Sequence, residues 1–252
     1  MAYLERDDGV RLHYETFGSG ERVPLLLSHG FGSSSRMWAP NVKALAADRL
    51  CVTWDMRGHG SSDSPDDHAK YSAAATVADM AALLDHVGAE RAVLGGLSLG
   101  GYMSLSFYAQ HPQRVAALML FDTGPGFRND EARQRWNDRA IAQADRIDAS
   151  GLAALGDDGK LHDSAAGVAR AARGMLTQRD ASVMELLPAV AVPTLVLVGS
   201  LDAPFIGAAN YMATKIPTAS LAVIEDAGHV SNVDAPDAFN EAVLQFLTGL
   251  GE

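Results

Sequence analysis

The pentapeptide Gly96-Leu97-Ser98-Leu99-Gly100 sets a hydroxyl between glycines two positions to either side. A serine hydroxyl is a poor nucleophile until a base removes its proton. It must also be presented at a sharp turn, where residues two before and two after it crowd neighbouring backbone and must lack bulk. In a chain with 24 glycines the pentapeptide alone is weak evidence. Its setting is stronger. The apolar run Ala92-Val93-Leu94 precedes it, and an amphipathic stretch reading as a helix over 98–110 follows, stopped before Pro112. Such a helix points its positive end at the serine and favours a developing oxyanion.

The base must come from eight histidines. His229, in Ala227-Gly228-His229-Val230, follows the last strand-like run and so projects from the same edge as Ser98. His29 also ends a strand, but ahead of the nucleophile and in a glycine-rich loop suited to shaping an oxyanion site. His59 lies between two glycines and reads as loop-structuring. His13, His68, His86, His111 and His162 read as surface or satisfied structural residues. The acid that orients the base should end another strand. Asp202, after Leu195-Val196-Leu197-Val198-Gly199-Ser200-Leu201, gives the chain order Ser, Asp, His. Two rivals stand beside it: Asp122 at the end of 115–121, and Asp226, which reads better as a turn residue. The N–H groups of Leu99 and Phe31 are the expected oxyanion donors.

These residues need a frame that brings strand ends together. Residues 11–17 alternate as a half-buried antiparallel strand. Short apolar runs at 23–28, 50–54, 91–95, 115–121, 194–198 and 220–224 suit strands covered on both faces. Helical patterns lie between them at 37–47, 72–87, 98–110 and 210–215, with a last helix over 236–247. From Pro125 to about Leu187 the rhythm breaks into short helical patterns rich in Ala, Arg, Asp and Gln, with Gly156-Asp157-Asp158-Gly159 as an internal loop. Strand–helix alternation implies an α/β fold with a mostly parallel sheet. The expected division is a core of 1–124 and 189–252 interrupted by a helical lid, 125–188, over the C-terminal edge of the sheet, where ligands bind.

Composition narrows the function classes. With 20 Lys and Arg against 31 Asp and Glu, the net charge of −11 disfavours nucleic acid and anionic lipid. The single cysteine, Cys51, forms no intrachain disulfide and reads as a buried thiol. No apolar run approaches bilayer length, and the first residues carry no signal or transit pattern. The expectation is a cytoplasmic protein with a small-molecule substrate, no membrane or nucleic-acid partner, and no metal or organic cofactor.

Five motifs in fixed order, His29-Gly30-Phe31-Gly32, Asp55-Met56-Arg57-Gly58-His59-Gly60, Gly96-Leu97-Ser98-Leu99-Gly100-Gly101, Gly199-Ser200-Leu201-Asp202-Ala203-Pro204 and Gly228-His229, resemble the α/β-hydrolase fold superfamily nearly end to end. The resemblance implies an eight-stranded, mostly parallel sheet with helices on both faces and a small helical lid. The elbow followed by His111-Pro112-Gln113-Arg114-Val115 is similar to 3-oxoadipate enol-lactonases and small carboxylesterases, which implies cleavage of an ester or lactone through an acyl-enzyme on Ser98. Segment 123–133 is similar to a menaquinone-pathway enzyme that eliminates pyruvate. That family has an arginine after the elbow, where this chain has Tyr102, and Arg128 or Arg133 would have to compensate. The alternatives carried forward are C–C hydrolysis or elimination on the same triad, perhydrolase or cofactor-free haloperoxidase activity, and a ligand receptor with little turnover. Haloalkane dehalogenase and epoxide hydrolase chemistry use an aspartate where Ser98 stands. Expected pocket walls are Phe31, Leu99, Tyr102, Phe127, Trp136 and Phe205.

Overall fold

The computed structural model describes residues 2–251. Its centre is an eight-stranded sheet of β1 (Ala2–Glu5), β2 (Arg11–Phe17), β3 (Arg22–Ser28), β4 (Arg49–Trp54), β5 (Ala92–Leu97), β6 (Val115–Phe121), β7 (Thr194–Gly199) and β8 (Ala219–Ile224), in the order β1-β2-β4-β3-β5-β6-β7-β8. β2 is antiparallel to both β1 and β4, and the remaining pairings are parallel. β1 is the strand for which no apolar run spoke. Its four residues alternate between half-buried and exposed at the sheet edge, so little hydrophobic pattern marks it.

Successive residues of each strand face opposite sides of the sheet. Leu26, Val52, Leu94, Leu118 and Val196 face one helical layer; Leu25, Leu27, Cys51, Val93, Met119 and Leu197 face the other. The first layer contains α2 (Ala73–His86), α3 (Leu99–Gln110) and α7 (Ala203–Lys215), represented in its core by Met80, Leu83, Met103, Phe107 and Met212. The second holds Trp38, α1 (Val42–Leu45) and α8 (Pro236–Thr248), where Phe121 and Phe239 meet edge to face at 4.8 Å. Cys51 is buried here as expected, and burial pushes its thiol up to about 12.

Helix positions depart from the sequence pattern in three places. Residues 37–47 form a 3₁₀ turn, Ser35–Trp38, and the short α1 rather than one helix. Pro40, between them, has no N–H to carry a helix through. α7 begins at Ala203, seven residues earlier than the expected 210, with Pro204 in its first turn, where proline is tolerated. The segment between β6 and β7 contains α4 (Asp130–Ser150), a 3₁₀ run 151–161, α5 (Ala165–Ala171) and α6 (Ser182–Leu186). α4 is one 21-residue helix, capped by the Asn129 side chain on the Ala132 N–H, and not several short ones. The expected loop at 156–159 lies inside the 3₁₀ run, which kinks at Gly156.

Strand register sets up the site. Ser28 pairs with Trp54 and Gly96, Leu97 with Phe121, and Gly199 with Ile224. These parallel strands therefore end together, and their outgoing loops carry residues 29–34, 55–63, 98, 122–124, 200–202 and 225–230 at one edge.

Candidate active site

Ser98 sits between β5 and α3 with φ 54° and ψ −113°, a conformation L-residues adopt only under constraint. Three hydrogen bonds supply it. The Ser98 N–H donates to Phe121 O at 2.9 Å, and Ser98 O accepts from Thr123 Oγ1 at 2.6 Å and from the Tyr102 N–H at 3.1 Å. The flanking glycines are required by close approach. A Cβ at Gly96 would lie 2.2 Å from the Gly100 carbonyl carbon, and one at Gly100 would lie 2.2 Å from Ser28 O. α3 thus packs directly on the ends of β3 and β5, with its first N–H groups at the strand edge. Leu99 is the first residue of α3. Neither its N–H nor that of Phe31 donates to a protein acceptor among the described residues.

Asp202 and His229 meet at that edge. Asp202 caps the start of α7, its N–H on Gly199 O and its carbonyl accepting from Phe205 and Ile206. Asp202 Oδ2 lies 2.8 Å from His229 Nδ1, with the carboxylate 2% exposed and the imidazole 40% exposed. A carboxylate accepts only, so the ring proton sits on Nδ1 and the Nε2 lone pair is available as a base. Phe205 stacks on the imidazole at 4.7 Å and 25°.

The rival acids lie elsewhere. Asp122 is fully buried with φ 45°; Oδ1 accepts from the Gly199 N–H at 2.8 Å and Oδ2 from Ser231 Oγ at 2.5 Å. It ties β6 to the end of β7 and to the loop just beyond His229. Burial, with the Asp202 charge nearby, pushes its carboxyl up to about 6 against the opposing hydrogen bonds. Asp226 is an exposed turn residue with φ 58°.

Three other histidines, His13, His29 and His59, are buried structural residues. His29 is buried; its Nε2 accepts from the Met56 N–H at 2.9 Å and its Nδ1 donates to Gly30 O at 2.7 Å. Burial lowers its pKa and holds His59 well below the ordinary range. His13 is buried on Asp55 at 3.0 Å. Burial opposes charge on Asp55, but His13, His29 and the N–H groups of Ser35 and Ser61 overcome it and hold the carboxyl below the usual range.

A cavity of about 540 Å³ opens between Ser98 and the segment joining β6 to β7. Leu99, Tyr102, Phe127, Trp136 and Phe205 line it, together with Met184 and Tyr211. Phe31 is not in its wall; that ring turns onto His59 at 5.5 Å. Trp136 is held by its indole N–H on Leu176 O at 2.8 Å. Burial raises the Tyr102 phenol to about 12, so it stays protonated. The one formal charge in the wall is Arg139 of α4, which has no acidic partner among the described residues. Arg133 bonds Phe127 O and pairs with Asp130, and Arg128 is exposed outside the cavity, so neither supplies the compensating cation expected from the sequence. Among the described residues no group of three or more His, Cys, Asp or Glu could hold a metal ion, and no helix is long and apolar enough to cross a membrane.

The family model for the alpha/beta hydrolase fold matches residues 23–155, more than half of the chain. The chain belongs to the α/β-hydrolase family. Among relatives of this hydrolase, a Bacillus subtilis (strain 168) protein assigned as a 2-succinyl-6-hydroxy-2,4-cyclohexadiene-1-carboxylate synthase is 30% identical, covering 96% of this chain and 97% of its own. The 3-oxoadipate enol-lactonase 2 of Acinetobacter baylyi (strain ATCC 33305 / BD413 / ADP1) is 29% identical over 93% and 92%. A thermophilic esterase from Thermogutta terrifontis superposes with a TM-score of 0.81 at 30% identity, over 99% and 98% of the two chains.

Sequence reasoning about this α/β-hydrolase missed Arg139 and the partners of Asp122. Arg139 lies on a helix whose many charges give no local hint of which one turns to the cavity. Asp122 carried a signal, its place at a strand end, but not its partners.

Proposed function

We propose that this α/β-hydrolase cleaves a carboxylic ester or lactone of a small, largely apolar substrate through an acyl-enzyme on Ser98. The observation that carries the reading is the 2.8 Å bond between Asp202 and His229 Nδ1, which leaves Nε2 unprotonated at the edge that presents Ser98. In this reading Ser98 Oγ attacks the carbonyl carbon while His229 Nε2 takes its proton. The Leu99 and Phe31 N–H groups receive the oxyanion, His229 protonates the departing alkoxide, and water activated by the same Nε2 releases the acid. Asp202 keeps the imidazole in the required tautomer and stabilises the imidazolium. No metal or organic cofactor enters this scheme. Segment 125–188 serves as a lid whose Phe127 and Trp136 roof the acyl group, on a core of 1–124 and 189–252. A cytoplasmic setting suits the reduced, buried Cys51 and the net charge of −11.

Arg139 favours a second reading of the substrate, one bearing a carboxylate, and with it the elimination alternative drawn from the resemblance of segment 123–133. One panel separates the two. Neutral p-nitrophenyl esters, enol-lactones, thioesters and carboxylate-bearing esters are assayed with wild type and Ser98→Ala. A fluorophosphonate adduct is located by mass spectrometry. Ester or lactone turnover should fall by at least about a thousandfold in Ser98→Ala, with the adduct on Ser98. Equal rates in the two proteins, or an adduct elsewhere, would remove the acyl-enzyme reading.

A further inference from the structure

One buried side chain joins the insertion to both loops beside the oxyanion donors. His162, just beyond the 3₁₀ run 151–161, is 5% exposed. Its Nδ1 accepts from the Gly60 N–H at 2.9 Å, so the ring proton lies on Nε2, which donates to Gly32 O at 2.8 Å. The two backbone partners are more than 100 residues away in sequence.

Gly32 belongs to the turn that carries the Phe31 N–H. The Ser33 N–H closes this turn on Gly30 O at 3.2 Å, and Gly32 takes the φ of 74° that its third position requires. Gly30 O is held again by His29 Nδ1 at 2.7 Å. The core therefore fixes the first carbonyl of the turn, and the insertion fixes the third. The rings repeat the arrangement. His59 packs against His29 at 5.0 Å, Phe31 at 5.5 Å and His162 at 5.6 Å, and Phe31 also packs against the insertion's apolar cluster of Ala144, Ile147 and Val168. Without His162, Gly32 O and the Gly60 N–H would be buried without partners, and the turn would be anchored from one side only.

We propose that His162 is a positioning residue for the oxyanion site: by holding Gly32 O and the Gly60 N–H it aims the Phe31 N–H, and it does so only while the insertion is seated on the core. This rests on the acyl-enzyme reading above. A donor aimed at a developing oxyanion acts on the transition state and little on the bound ester, so loss of His162 should lower kcat and leave KM nearly alone.

The test compares His162→Leu, which keeps bulk but cannot hydrogen-bond, with His162→Gln, whose amide can both accept and donate across a similar span. Kinetics use p-nitrophenyl butyrate, and phenylboronic acid serves as the tetrahedral analogue whose oxygen occupies the oxyanion site. The leucine variant should lose about 10- to 100-fold in kcat and in boronate affinity, with KM within about threefold, and the glutamine variant should recover most of both. Thermal unfolding confirms that the variants are folded, and His162→Ala replaces leucine if leucine is not accommodated. A folded apolar variant with wild-type kcat and boronate affinity overturns the proposal, as does a fall in kcat with boronate affinity unchanged. Those outcomes, with the fluorophosphonate still on Ser98, defeat the role of His162 alone. An active Ser98→Ala would instead defeat the acyl-enzyme reading beneath it.

Discussion

Two carboxylates end neighbouring strands at the site edge, and their surroundings give them different work. Asp202 presents one oxygen to an imidazole that is partly exposed. Asp122 spends both oxygens on Gly199 and Ser231, the residues that flank the acid and the base in sequence. It is a clamp on the pair, with a backbone strained to reach it. Asp202→Asn should therefore cut kcat/KM by about 10³-fold or more, because an amide in that place favours the wrong imidazole tautomer. Asp122→Asn should cost less than about tenfold. Steady-state kinetics of the two variants check this, and a larger loss at Asp122 would transfer the acid to β6. The sequence placed both residues at strand ends. It could not choose between them on partners, because Gly199 and Ser231 are 77 and 109 residues from Asp122.

At the scale of elements, the elbow is a packing arrangement as much as a motif. α3 approaches β3 and β5 so closely that Gly96 and Gly100 touch neighbouring backbone. Their local pattern was legible because the constraint acts within five residues. Gly100→Ala puts a methyl on Ser28 O and the adjoining His29 carbonyl, neither of which can yield without parting α3 from the sheet. The expected cost is about 3 kcal/mol in urea unfolding, the upper end of the usual cost of an overpacked core. A variant as stable as wild type would show that α3 shifts freely. The insertion obeys less local rules. Its apolar faces are narrow and its composition is polar, so the sequence showed helices without showing one long α4 or the direction of Arg139.

For the whole molecule, buried ionisable groups set how stability changes with pH. Burial lowers the pKa of His29 and holds that of His59 well below the ordinary value near 6.5, so as pH falls below that value the unfolded chain takes up protons more readily than the folded chain. A histidine with a lowered folded pKa loses stability as pH falls from its unfolded pKa toward its folded one. Asp122 acts in the opposite sense: raised to about 6 in the fold, it binds a proton there that the unfolded carboxyl has released above about 4. The two histidines together outweigh Asp122, so stability should rise with pH between about pH 5 and 6. Urea unfolding at pH 5.0, 5.5 and 6.0 measures the slope, and Asp122→Asn should steepen it by removing the opposing group. A flat profile in wild type would contradict the neutral state of the buried histidines. At lower pH, protonation of Asp55 weakens the fold in the same direction.

The sequence by itself determined the strand and helix rhythm, the glycine-bounded serine, and the order Ser98, Asp202, His229, because each is written in neighbouring residues and in the two-residue or 3.6-residue period of burial. Tertiary structure decided the partners: Asp202 on His229, Asp122 on Gly199 and Ser231, Arg139 in the cavity wall, and His162 on Gly32 and Gly60. Each of these depends on distances between segments tens of residues apart, which only the packed sheet and its insertion fix. The elbow presents the hydroxyl. The turn beside it, which carries the Phe31 N–H, is bonded to a histidine supplied by the insertion, and no motif announces that residue.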